Sequence, residues 1–171
     1  MSASVRLRGF REDEIEGVVD RLPGVEFGPR DLDRAREQRR DRLRHSGARY
    51  ETEILLAIEA DGRLVGEVQA RYHPMMSPPG TFDIGIELWD LADRGRGLGK
   101  AALEELTRFL FTEEHAERVQ GSTDLDNAPM RATFVSAGFV EEGVLRWFMP
   151  TAEGRRDYVQ YAITRPEWER R

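Results

Sequence analysis

Cysteine is absent from this chain of 171 residues. Its absence excludes disulfides, a thiol nucleophile and any thiolate-held metal or cluster. Long apolar runs are missing too, since none approaches the ~20 residues that span a bilayer. The opening residues, Met1-Ser2-Ala3-Ser4-Val5-Arg6, lack the apolar core of a signal peptide. The chain therefore reads as soluble and cytoplasmic, with no membrane partner. Lysine is nearly absent, Lys100 being the only one, so almost every cation is an arginine. Positive charge is in deficit, with 26 basic residues against 32 acidic ones and a net charge of −6. That balance weighs against nucleic acid as a partner and tolerates a cationic one. The three histidines, His45, His73 and His115, have no metal-ligand spacing, so no metal is expected.

What is present is a strongly charged, globular chain. Charged residues make up 34% and mean hydropathy is −0.61. The length suits one domain over residues 1–171. Val5 to Arg8 alternates as a short strand, and Glu12 to Leu22 has helical spacing that Pro23-Gly24 ends. Asp31 to His45 reads as a solvated helix carrying Asp31–Arg34, Asp33–Arg36, Glu37–Arg40 and Asp41–Arg44 pairs, with Leu32, Ala35 and Leu43 as its thin apolar stripe. Three strands follow. Glu53 to Glu59 and Arg63 to Tyr72 are joined at Asp61-Gly62, the second placing Leu64, Gly66, Val68 and Ala70 on one face, and Thr81 to Trp89 comes next. A helix from about Leu98 to Thr112, a strand from Arg118 to Thr123, a helix capped by Asn127 and two final strands complete the chain. The order β-α-α-β-β-β-α-β-α-β-β is that of a mixed α/β domain.

The most informative segment is Arg94-Gly95-Arg96-Gly97-Leu98-Gly99-Lys100, between a strand and an amphipathic helix. Three glycines allow close backbone approach to a ligand, and the helix start behind them adds unpaired N–H donors. Together with three cations this reads as a phosphate cradle, or else as a glycine-rich turn with solvent-facing arginines. A Walker A loop fails on both counts, with Arg94 at the first glycine position and Ala101 after Lys100. A dinucleotide fingerprint, Gly97-x-Gly99-x-x-Ala102, does not follow directly on its strand.

Arg94, Gly97 and Gly99 meet the pattern Arg/Gln-x-x-Gly-x-Gly/Ala, and here the chain resembles a GNAT-type N-acetyltransferase. The resemblance runs from about Val5 to Ile163. It includes the upstream strand Asp83-Ile-Gly-Ile-Glu87-Leu-Trp89 and the downstream Asn127-Ala-Pro-Met130 to Gly138-Phe139. The ending is similar to that of the ribosomal-protein alanine acetyltransferases and their polyamine- and antibiotic-modifying relatives. The resemblance implies a mostly antiparallel mixed sheet, splayed at its centre and flanked by helices. It implies acetyl-CoA as co-substrate. Backbone groups of Leu88, Trp89 and Leu91 would then pair with pantetheine. The segment Arg94, Gly95, Arg96, Gly97, Leu98, Gly99 and Lys100 would hold the pyrophosphate. Asn127 would contact the pantetheine, and Phe134 would lie beside the sulfur. Asn127 also reads as a helix cap, and Trp89 and Phe134 as core residues.

The implied reaction is direct attack by a neutral amine. Alternation puts Asp83, Gly85, Glu87 and Trp89 on one face, so Asp83 and Glu87 are the candidate bases. Each also reads as a solvent-facing or ion-paired carboxylate. Many family members carry a tyrosine where this chain has Phe134, so Ser136, Tyr158 or water must protonate the leaving thiolate, or it leaves unprotonated. The acceptor is expected to be a primary amine: a protein N-terminus ahead of an antibiotic or polyamine. An acidic cluster of Glu51, Glu53, Glu67, Asp83 and Glu87 would attract it. Pro23 to Gly28, the Asp31–His45 helix and the His73–Gly80 loop would shape its site. The alternative is a catalytically silent CoA-binding sensor, and a homodimer is left open.

Overall fold

Residues 4–21, 31–72, 74 and 78–171 are described in the computed structural model. Pro23-Gly24, His73 and the Met75–Ser77 part of the following loop lie outside them. Strand β1 is Val5–Arg8 and β2 is the two-residue Arg49–Tyr50. Strands β3 (Glu53–Ala60) and β4 (Arg63–Arg71) form a hairpin closed by Asp61 and Gly62, both left-handed at φ 50° and 76° as a type I′ turn requires. Next come β5 (Thr81–Leu88), β6 (Arg118–Asp124), β7 (Val140–Thr151) and β8 (Gly154–Thr164). They form one sheet in the order β1-β3-β4-β5-β6-β8-β7, with β2 added to β3. Among the described residues only β5 and β6 pair in parallel. This is the mixed, mostly antiparallel sheet flanked by helices that the family resemblance implied.

The two faces bury different things. One carries Ile54, Leu56, Ile58, Val68, Ala70, Phe82, Val119 and Val159 into the main core. Helix α3 (Leu98–Thr112) covers it with Leu98, Ala102, Leu103, Leu106 and Leu110, and α4 (Ala128–Ser136) adds Phe134. The short α5 (Arg165–Trp168), opened by a Thr164–Glu167 capping box with Pro166 in its first turn, stacks Trp168 on Phe111 at 5.0 Å. The opposite face carries a second cluster, Ile15, Val18, Leu43 and Leu55, under α1 (Glu12–Val18) and α2 (Leu32–Arg44). Leu64 joins this cluster rather than the side of Val68. The β3–β4 register shifts at Ile58/Glu59, leaving Val65 as an extra residue, and a one-residue slip reverses every side chain before it.

Helix α2 also departs from its expected pairing. Its arginines reach across to other elements instead of along their own helix. Arg44 meets Glu12, Arg40 meets Glu16 and Arg36 meets Asp20, two period-four rows facing each other on antiparallel helices. Of the expected pairs only Asp33–Arg36 forms, at 3.6 Å, while Asp31 caps the helix by accepting from the Arg34 backbone N–H. Arg42 forks onto Glu53 with two bonds of 2.7 Å. Arg39 is 2% exposed and donates to Glu67, which is 4% exposed. Breaking such a buried pair from one side strands the other charge, whereas an exposed pair contributes little. In urea denaturation, Glu67→Ala should lose about 3–5 kcal/mol and Arg36→Ala less than about 1 kcal/mol.

Acid should also loosen the fold. The Arg8 guanidinium, bonded at 2.7 and 2.8 Å, holds the Glu14 carboxyl below the usual carboxylate range. Arg118 does the same to Glu142. The unfolded chain then takes up these protons first, so their stabilisation is complete above the ordinary glutamate pKa of about 4.3 and is lost as pH falls through the lowered values. Melting temperatures recorded from pH 7 to pH 3 should fall only at the acid end.

Candidate active site

The site begins where a sheet ladder stops. Strands β5 and β6 pair from Thr81↔Arg118 to Asp83↔Gln120 and no further. Beyond that point β5 stays with β4 as far as Leu88, and β6 stays with β8 as far as Asp124. The two strands therefore diverge into a fork. At its crotch Gly121 leaves room for Phe134 and Ile84, whose atoms lie 3.0 and 3.2 Å from where a Cβ would sit. The Trp89 N–H points to β4, bonding the Val65 carbonyl at 3.1 Å. Strand alternation then turns the backbone groups of Ile86 and Leu88 toward the gap.

The gap widens into a cleft of about 810 Å³ that reaches the glycine loop. Gly95 and Gly97 are left-handed, at φ 71° and 82°, and a Cβ on either would meet nothing within 4 Å. Gly97 is the N-cap of α3, so the first-turn N–H groups of Leu98, Gly99 and Lys100 have no intrahelical acceptor and face the open end. These donors, the open space above the glycines and the fork fit an acyl-CoA: a pyrophosphate at the helix start and an extended arm along β5. The three cations divide their work. Arg94 bonds the Leu88 carbonyl at 3.2 Å across the cleft mouth. Arg96 joins Arg63 on the buried Asp93, at 3.0 and 2.9 Å, which anchors the loop from behind. Lys100 rests on Glu104 at 2.7 Å.

Nine of the fourteen expected residues line this cleft: Glu87, Leu88, Arg94, Gly95, Gly97, Gly99, Lys100, Asn127 and Phe134. The side chains of Asp83, Trp89, Leu91, Arg96 and Leu98 lie elsewhere, although the Leu98 N–H faces the open end. Trp89 follows the end of β5, and its indole packs into the cluster under α1 and α2, stacking on Phe10 at 6.4 Å. Leu91 is 76% exposed, with its carbonyl bonded to the Arg94 N–H. The Leu98 side chain belongs to the main core. The two carboxylates also separate. Asp83 sits at the closed end and accepts a 2.8 Å bond from Gln120 Nε2. Glu87 is exposed on the open arm, with no side-chain hydrogen bond or ion pair to any described residue. The rest of the anticipated acidic cluster is largely neutralised, because Arg39 takes Glu67 and Arg42 takes Glu53.

Asn127 caps α4 through Oδ1, which accepts from the Met130 N–H at 3.2 Å, while its Nδ2 donates to Thr123 Oγ1 at 3.2 Å. Phe134 serves both readings. It stacks on Tyr161 at 4.9 Å within the core and closes the cleft floor. Ser136 lines the cleft, its hydroxyl donating to the Thr133 carbonyl, whereas Tyr158 packs on Phe148 at 5.7 Å. Sequence reasoning overlooked Thr123, Met130 and Thr133 as lining residues. Spacing along α4, three and then three residues on from Asn127, was the available signal for the last two.

A parallel fork opening onto a glycine-rich helix start defines a transferase that uses an acyl-CoA. The chain matches the acetyltransferase (GNAT) domain over residues 4–140 and belongs to that family; it is an acetyl-CoA-dependent N-acetyltransferase. It is 27% identical over 158 residues to the SPbeta prophage-derived uncharacterized N-acetyltransferase YokL of Bacillus subtilis (strain 168), covering 92% of this chain and 82% of that protein. Its fold resembles Mycobacterium smegmatis RimJ in complex with CoA-disulfide, at TM-score 0.73 and 23% identity, over 95% of this chain and 83% of the other. It also resembles spermidine N-acetyltransferase from Vibrio cholerae in complex with CoA and spermine, at TM-score 0.77 and 15% identity, over 96% and 98%.

A side chain at Gly97 would project into the open space above the loop. Gly97→Glu should weaken CoA binding at least tenfold, about 1.4 kcal/mol, in calorimetric titration of protein whose circular dichroism is unchanged. Undiminished affinity would remove the pyrophosphate from this loop.

Proposed function

We propose that the chain transfers the acetyl group of acetyl-CoA to a primary amine, with Glu87 as the base. The observation that carries this reading is the position of Glu87. Its carboxylate is exposed, unpaired with any described group, and set on the arm of the fork whose backbone faces the cleft. Acetyl-CoA supplies a thioester, and the amine nitrogen bonds to its acyl carbon as the carbon–sulfur bond breaks. A protonated amine of pKa about 8–10 must first give up a proton near neutral pH. Glu87 accepts it, directly or through one water. Asp83, held by Gln120 at the closed end of the fork, serves to fix the crotch. The loop N–H groups and Arg94 hold the phosphates and so orient the arm along Ile86 and Leu88. Ser136 stands nearest to the role of thiol proton donor, as Phe134 has no hydroxyl. A thiol of pKa near 8.5 can also depart as thiolate.

The acceptor class follows from the charges that remain. Arg39 and Arg42 cancel two of the five carboxylates expected to attract a polycation, and Asp83 is bonded to Gln120. Of the other two, Glu87 alone lines the cleft among the described residues, and one carboxylate there suits one amine. That favours a peptide or protein N-terminus over a polyamine.

Glu87→Gln should lower kcat/KM by roughly 10²-fold at pH 7 and recover much of it near pH 10, where the amine is already neutral. Asp83→Asn should cost far less. The assay is thiol release from acetyl-CoA with an alanine-terminated peptide. Full activity in the Glu87 variant would remove it as the base, and release with no amine tried would favour the silent sensor.

A further inference from the structure

Across the fork from Glu87 lies a feature that the transfer reaction does not require. The Asp83 and Gln120 side chains meet, so Glu87, four residues on from Asp83, and Asp124, four on from Gln120, share one face at similar heights on the two arms. Tyr158 on β8 pairs with Asp124 on one side and Leu145 on the other. Phe148 packs against Tyr158. The same face that presents Glu87 therefore continues, beyond the fork and past the Asp124–Arg156 ion pair, to Tyr158 and Phe148.

This patch is built. The β7–β8 register jumps from Leu145↔Tyr158 to Met149↔Arg156, so Arg146, Trp147 and Phe148 together oppose Asp157 alone. Trp147 takes a left-handed backbone, φ 55°, which bulky residues avoid. It is held there from β8: Asp157 Oδ1 accepts its N–H at 2.7 Å, and Arg155 Nη1 donates to the carbonyls of Trp147 and Phe148 at 3.2 and 3.0 Å. The outcome is unusual for a surface, with Trp147 67% and Phe148 44% exposed. Two polar side chains hold in place a backbone that exposes two large aromatics.

We propose that Trp147, Phe148 and Tyr158 form a specificity surface that takes a large apolar side chain within the first four residues of an acceptor peptide. The proposal rests on the amine-transfer reading above. Spacing supplies the position. Neighbouring strands lie about 4.8 Å apart, so β8 and β7 stand at least roughly 10–15 Å from Glu87, the width of the open fork adding to this. An extended peptide covers that distance in three or four residues at about 3.3 Å each. Its amine then lies at Glu87 while an apolar side chain rests on the aromatics. A compact amine cannot reach both, and a polyamine presents charge where the surface is apolar.

The test uses two peptides with the same N-terminal alanine, hence the same amine pKa, one with phenylalanine and one with glycine at position three. KM and kcat are measured by thiol release at saturating acetyl-CoA. The phenylalanine peptide should show a KM at least tenfold lower than the glycine peptide, at similar kcat. In Trp147→Ser/Phe148→Ser protein the ratio of the two KM values should fall toward one. Trp147→Phe should largely preserve it, which separates loss of the surface from damage to the fold. Equal KM values in the parent protein, or a ratio that survives the double substitution, would overturn the proposal while leaving amine transfer intact. Failure to acetylate either peptide, with CoA binding retained, would overturn the transfer reading and this one with it.

Discussion

Everything at the site depends on a ladder that ends early. Parallel pairing of β5 with β6 lasts three residues, after which each strand keeps only its outer neighbour. The inner edges then lose their ladder partner, the Leu88 carbonyl turning to Arg94 instead, and a buried sheet edge needs water or a ligand to supply the bonds that a strand no longer makes. An extended amide-bearing arm supplies such groups at strand spacing. The fork thus does for the arm what an edge strand does for a peptide, with the glycine loop fixing the far end. Because β5 and β6 pair only at their N-terminal ends, the loop that follows β5 and starts α3 lies at the open end and not the closed one.

Arginine takes up much of the rest of the design. The α1–α2 pair is stitched by facing rows of guanidinium and carboxylate, and Arg39 and Arg42 extend the same chemistry down to the sheet. These bonds orient α2 across β4, whose Glu67 lies opposite Glu87 in register. They also neutralise two of the carboxylates on the acceptor side, Glu53 and Glu67. The chain is acidic overall, yet among the described residues the cleft is lined by one carboxylate, Glu87.

Local pattern made most of the architecture legible. Alternation located β1 and an apolar run located β3, β6 lay within a residue of its expected bounds, amphipathic spacing gave α3 its observed ends, and Asn127 marked its cap. The glycine loop and its helix start were readable because their chemistry is local. What depended on distant partners was not. No local signal announces that Val65 is an extra residue, so Leu64 was assigned to the wrong face. The helical charges of α2 suggested partners three residues away, whereas antiparallel packing supplied better ones on α1. Asp83 and Glu87 look equivalent in a strand. Only the point at which pairing fails, set by β6 and Gln120, makes one a fixture of the crotch and leaves the other free. The aromatic bulge on β7 was likewise invisible, because it arises from a register jump against β8.

The lone lysine has a consequence of its own. An enzyme that holds an activated acetyl group all day is exposed to modifying itself, and the side-chain amine is the group at risk. Here Lys100 is the only such amine, and it is tied to Glu104. All other side-chain cations, histidine aside, are guanidinium groups, which stay protonated at any physiological pH and offer no nucleophilic lone pair. The surface is thereby strongly charged yet chemically deaf to the reagent it carries.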